Sequence, residues 1–159
     1  VPSMSHPFNK TLLEDVHRIA MLEIFVEFWQ QSPTQQIAIY NIEKEIKLTK
    51  KIGEPIYTYD VLKAVEQDLI KKSQPFKLFF IMGPDNANPQ VWQKFYRYQE
   101  IEQRWGLYIA KERIDIHSVE VRKRIARLQE DRYLKQHLLN LVDEKIADYI
   151  LANRLYFSG

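Results

Sequence analysis

The side chains best able to do chemistry in this 159-residue chain are scattered rather than clustered. The four histidines (His6, His17, His117 and His137) have no ligand-spaced cluster around them, so no metal site is expected. Cysteine is absent, which excludes thiolate nucleophiles, redox pairs and cysteine-ligated zinc. Glu43-Lys44-Glu45-Ile46-Lys47 contains an acid-x-lysine step, and Pro84-Asp85 follows it. A nuclease site needs the reverse order with the former on a strand, and here it falls on a helical pattern. Four glycines (Gly53, Gly83, Gly106 and Gly159) are too few and too isolated for a phosphate-cradling loop or a dinucleotide fingerprint. On these grounds the chain is read as a non-catalytic protein with no cofactor and no metal.

Two features remain that could bind. Basic side chains gather at Lys50 and Lys51, at Lys63, Lys71 and Lys72, and most densely at Arg122, Lys123, Arg124 and Arg127. Residues 111–127 hold six basic side chains against three acidic ones, a pattern that fits phosphate contact, an acidic partner or a solvated helix face. Aromatic residues recur at helical spacing in Trp92, Phe95, Tyr98, Trp105 and Tyr108, with Tyr96 on the flank. Such a series can form core, a base-stacking platform or a protein interface.

The elements that would position these groups follow from periodicity and from helix-breaking residues. Leu12, Leu13, Val16, Ile19, Ala20, Ile24 and Phe28 form a helical series over 11–31. Met21, Leu22, Phe25, Val26 and Trp29 widen it, so this helix is expected to be buried on several sides. Asn9 or Thr11 opens it and Ser32-Pro33 closes it. A short strand is predicted at 37–40, helices at about 42–48 and 59–72, and the best strand at 76–82 between Pro75 and Gly83. The aromatic series predicts one helix from about 91 to 113. No proline follows Pro89, so the rest reads as one or two long helices, the first opened by Asp115 or Ser118.

That order over residues 11–98 resembles the winged helix-turn-helix domain. The resemblance makes 41–48 the scaffold helix, 58–72 the recognition helix, 76–82 a wing strand and 84–89 the wing tip. It implies that Tyr57, Thr58, Tyr59 and Lys63 approach the bases while Lys50, Lys51, Lys71 and Lys72 contact phosphates. The chain departs from the family at the long 49–57 connection and at Asp60, Glu66 and Asp68, which would repel phosphate. Residues 1–74 hold nine basic and ten acidic side chains, so this half has no basic footprint.

The composition sets the outer bounds. An apolar fraction of 45% is enough for a core, and a net charge of +2 neither demands nor excludes nucleic acid. No apolar run approaches a membrane span, and no basic stretch followed by an apolar one suggests a secretory leader, so a cytoplasmic protein without membrane contact is expected. With Met4 taken as the start, the expected fold is mainly α with a small β element. It comprises a winged-helix-like core at 4–98 and long C-terminal helices at 99–159 that serve dimerisation. The expected function is a dimeric DNA-binding regulatory protein, with double-stranded DNA or a protein partner as target. The alternative is a helical protein-interaction module such as an adaptor, secretion chaperone or effector.

Overall fold

The computed structural model describes residues 1, 13–29, 36–73, 75–112, 117–128 and 131–157. The expected helix cap at Asn9 or Thr11, the break at Ser32-Pro33 and the helix start at Asp115 lie outside the described residues. The chain divides into two compact units: Val1–Asp15 with Tyr40–Arg113, and Val16–Ile39 with Ile114–Gly159.

In the first unit, helix α2 (Ile42–Thr49) packs on α3 (Thr58–Lys71), and strand β1 (Phe79–Met82) follows. Short helices α4 (Pro84–Ala87) and α5 (Pro89–Trp92) then lead to α6 (Tyr98–Arg104) and strand β2 (Gly106–Ile109). The two strands pair in parallel, from Phe79 opposite Gly106 to Met82 opposite Ile109. Parallel strands need a crossover of a dozen or more residues, and α4–α6 supply it. A wing is an antiparallel hairpin, so this topology is not that of a winged helix. Residues 37–40 form no strand, whereas 106–109, expected to continue a helix, are the second strand.

The single helix predicted over 91–113 is broken twice for local reasons. α5 ends at Trp92, turns follow, and Arg97 in the left-handed conformation (φ 57°) immediately precedes α6. Trp105 is extended (φ −126°, ψ 158°) and Gly106 enters β2. Gly106 is needed there because a Cβ would lie 2.2 Å from the Phe79 ring. The helical spacing of the aromatics nevertheless brings most of them inward. Trp92 and Trp105 join Tyr59, Leu62, Met82 and Ile101 in one core, with Phe95 and Tyr98 packed against it.

In the second unit, α1 (Asp15–Trp29) has no buried residue among those described, and Val16, Leu22, Phe25 and Phe28 are exposed. This corrects the expectation of a buried central helix. An apolar pattern on all sides says that several faces are suited to burial, not that a partner element covers them. The long C-terminal helices are also corrected, to three short ones: α7 (Ser118–Leu128), α8 (Leu134–Leu139) and α9 (Glu144–Ala152). Val121, Ile125, Leu134, Leu138, Ala147 and Ile150 close their apolar faces on one another. Tyr133 and Asp143 mark the breaks, and the Asp143 carboxylate caps α9 by accepting the Lys145 amide at 2.9 Å. Among the described residues, no helix is long and apolar enough to cross a membrane.

Candidate functional site

A cleft of the first unit, about 1120 Å³, lies between the start of α3, strand β1 and the turns after α5. It is mostly apolar, with a few polar groups aimed in, the usual make-up of a small-molecule site. Ile56, Val61, Leu62, Val65, Leu78 and Phe80 form its apolar wall. Thr58, Asp85, Asn86 and Lys94 bring polar groups to it, and Tyr57 and Tyr96 stand at its aromatic side.

Each of these groups is placed by a local cause. Lys50 organises the 50–57 connection. Its ammonium lies 2.8 Å from the Asp60 carboxylate and 3.2 Å from that of Glu54, and donates to the Pro55 carbonyl at 2.8 Å. It also stands 5.5 Å from the Tyr57 ring centre. Burial opposes the Lys50 charge, but the hydrogen bonds to Asp60 and Glu54 outweigh it and hold the ammonium above the ordinary lysine value. The same Lys50 hydrogen bond, with the Lys51 backbone amide, holds Glu54 below the ordinary carboxylate range. The Asp60 carboxylate accepts the Tyr57 amide at 3.0 Å and so fixes the entry to α3. The long connection that departs from a helix-turn-helix is thus a clamped wall.

On the opposite side, β1 ends at Met82 and the chain turns at Gly83 into Pro84-Asp85-Asn86. A Cβ on Gly83 would meet the Asp85 Oδ1 at 2.7 Å, so the glycine leaves room for the carboxylate to fold back. In open α/β sheets, ligands bind beyond the carboxyl ends of parallel strands, which is where Asp85 and Asn86 stand. Beneath them, Trp92 stacks near Phe80 and Phe95 and donates its indole N–H to Glu102 at 2.7 Å.

The predicted site residues distribute unevenly over this geometry. Tyr57 lines the cleft, and Lys50 anchors its wall. Tyr59 is buried against Trp105 and Tyr96. Lys51, Lys63 and Lys71 are exposed on the surface, and Lys72 pairs with Asp68 at 2.7 Å. Arg122, Lys123, Arg124 and Arg127 all lie on α7 of the second unit, where Arg124 pairs with Glu120 at 2.8 Å. Trp92 and Trp105 are core, Phe95 and Tyr98 are half-buried, and Tyr108 is exposed on β2. Asp85, Asn86 and Lys94 were missed. For Asp85 and Asn86 the signal is an apolar strand running directly into Gly-Pro-Asp-Asn, which fits a wing tip equally well as long as the strand has no assigned partner; Lys94 has no such signal.

The second unit has a smaller cavity of about 290 Å³ lined by Ser118, Val121, Arg122, Ile150 and Tyr156 among others. Burial pushes the Tyr156 hydroxyl up, against the opposing charges of Arg122 and Arg18. Among the described residues, no group of three or more His, Asp or Glu side chains could hold a metal ion.

No protein-family model matches the chain, and no curated protein matches it. A solved structure does. It is a protein from Vibrio parahaemolyticus provisionally named a nicotinate-nucleotide adenylyltransferase, similar at a TM-score of 0.64 and 18% identity, over 92% of this chain and 74% of that one. The winged-helix resemblance is overturned by this likeness and by the parallel pairing of β1 and β2. The DNA-binding regulatory reading rested on that resemblance and falls with it, and the interaction-module alternative gains no support. The expectation of a non-catalytic protein is withdrawn as well, since the neighbour is named for a group transfer. The fold of this chain is α/β, like that of the Vibrio parahaemolyticus structure.

Proposed function

We propose that this chain is a nucleotide-binding transferase whose first-unit cleft takes a mononucleotide for adenylyl transfer. One observation carries the reading: the cleft runs along β1 and past its carboxyl end, where Asp85 and Asn86 line it. The likeness to the Vibrio parahaemolyticus structure over nearly the whole chain supports it and supplies the reaction class.

The cleft suits such a ligand in size and in kind. Its apolar wall takes a planar ring, Asp85 and Asn86 offer acceptors and donors for sugar hydroxyls, and Lys94 offers positive charge for a phosphate. In the transfer, a phosphate oxygen of the mononucleotide attacks the α-phosphorus of a nucleoside triphosphate. The bond from that phosphorus to the bridging β-phosphate oxygen breaks, and pyrophosphate leaves. The transfer needs little covalent help from the protein, so positioning and charge stabilisation are what the residues contribute.

The test is to incubate the whole chain with magnesium-ATP and nicotinate mononucleotide. Dinucleotide and pyrophosphate should appear in equal amounts, and Asp85→Asn should lower kcat/KM by roughly ten-fold or more, about the worth of one charge-assisted hydrogen bond. If neither product forms and the nucleotide does not bind, the proposal is wrong.

A further inference from the structure

Two aromatic rings stack on one another at the side of the cleft. The rings of Tyr57 and Tyr96 lie 4.6 Å apart at an interplanar angle of 28°, a stacked pair, and both line the cleft. The two partners are held very differently. Tyr57 is fixed through its amide by Asp60 and through the clamped connection by Lys50. Tyr96 is 47% exposed and sits in the turns between α5 and α6. Its neighbour Arg97 is in the left-handed conformation, with its guanidinium 4.8 Å from the Tyr59 ring centre and 5.8 Å from that of Tyr96. A non-glycine residue held at positive φ is a local cost, and such positions gather where a fold must present a side chain to a site.

We infer that Tyr57 is the platform for the flat heterocycle of the nucleotide, and that Tyr96 is an internal stand-in which the ligand ring displaces. This rests on the cleft being the nucleotide site. Displacement exchanges the Tyr57 stack for a stack with the ligand ring and gives up the edge contact of Tyr96 with Tyr59, so the exchange offsets part of its cost. A ligand without a ring, such as a sugar phosphate, gains nothing by displacing Tyr96. The pair therefore discriminates in favour of ring-bearing ligands and sets an internal competition that weakens all of them to the same degree. Arg97 holds the turn so that Tyr96 returns to Tyr57 when the site empties.

The sign of the mutational effects separates this from a merely structural pair. Nicotinate mononucleotide and ribose 5-phosphate are titrated by calorimetry against the whole chain, Tyr57→Leu, Tyr57→Trp and Tyr96→Ala, with circular dichroism checking that each variant is folded. Tyr57→Leu keeps apolar bulk and loses the π face. It should weaken the mononucleotide by about 5- to 150-fold and leave ribose 5-phosphate unchanged. Tyr57→Trp should retain binding. Tyr96→Ala should tighten the mononucleotide by about 2- to 10-fold, the worth of the aromatic pair it removes. If Tyr96→Ala weakens binding, or Tyr57→Leu weakens both ligands equally, the stand-in inference is overturned while the nucleotide cleft stands. If the unaltered chain binds neither ligand and forms no dinucleotide, the nucleotide reading itself fails and this inference with it.

Discussion

Single side chains carry unusual weight where the strands begin and where α3 ends. Gly106 has no space for a Cβ because the Phe79 ring lies against it on the paired strand. Gly106→Ala should lower stability by about 1–3 kcal/mol through overpacking, and the added change Phe79→Ala should recover part of that loss in urea titration. The Tyr40 hydroxyl donates to Asp68, and this hydrogen bond, helped by burial and the Asp68 charge, pushes the hydroxyl up to about 12. Asp68 is held below the ordinary carboxylate range by the hydrogen bond from Lys72, then by that from Tyr40. The signs follow by linkage. The raised tyrosine contributes stability that is complete below its ordinary value of 10.0 and lost as pH rises toward about 12. The depressed aspartate contributes stability present above its ordinary 3.8 and lost as pH falls through its lower folded value. The contact should therefore hold from about pH 4 to pH 10. Tyr40→Phe should move the Asp68 carboxyl titration upward in NMR and flatten the loss of stability on the alkaline side.

Between elements of the first unit, Glu66 and the β1–β2 pair supply two of the joins. Glu66 on α3 accepts from the Arg104 guanidinium at 2.5 Å and from the Trp105 indole N–H at 3.1 Å, tying α3 to the end of α6. Trp105 is buried, so Glu66→Ala would leave its N–H without a partner, a loss of about 1–3 kcal/mol. Glu66→Gln keeps an acceptor and should lose less, with tryptophan fluorescence and denaturant midpoints separating the two. Along β1 the faces differ sharply: Met82 is buried in the core, while Ile81 beside it is 65% exposed. Met82→Ala should cost about 2–5 kcal/mol and Ile81→Ala under about 1. A wing strand offers the same alternation, so the strand's composition could not reveal its partner. That partner, 106–109, was hidden in an aromatic series whose steps of three and four also fit a helix. Trp92 and Trp105, expected at an interface, lie in the core instead, because spacing that gathers aromatics on one face of a helix also gathers them when the chain folds back over a short crossover.

At the scale of the whole chain, two units are built from interleaved stretches of sequence. Lys135 shows how the second holds its short helices, reaching from α8 to Glu144 at 3.1 Å and Asp148 at 2.7 Å on α9. The sequence by itself determined the positions of α2, α3 and β1 to within a few residues, since prolines, glycines and periodicity act locally. It left open whether Trp92 and Trp105 form core or interface, and the structure puts both in the core. It named Tyr57 as a DNA contact, and the structure shows that residue lining a cleft. Only the tertiary structure decided that β1 pairs in parallel with Gly106–Ile109, that α1 is left with exposed apolar side chains, and that Asp85, Asn86 and Lys94 meet Tyr57 across one cleft. Strand pairing and cleft walls are contacts between residues far apart in the chain. No local propensity encodes them, so the same apolar strand reads equally well as a wing or as part of a parallel sheet until its neighbour is known.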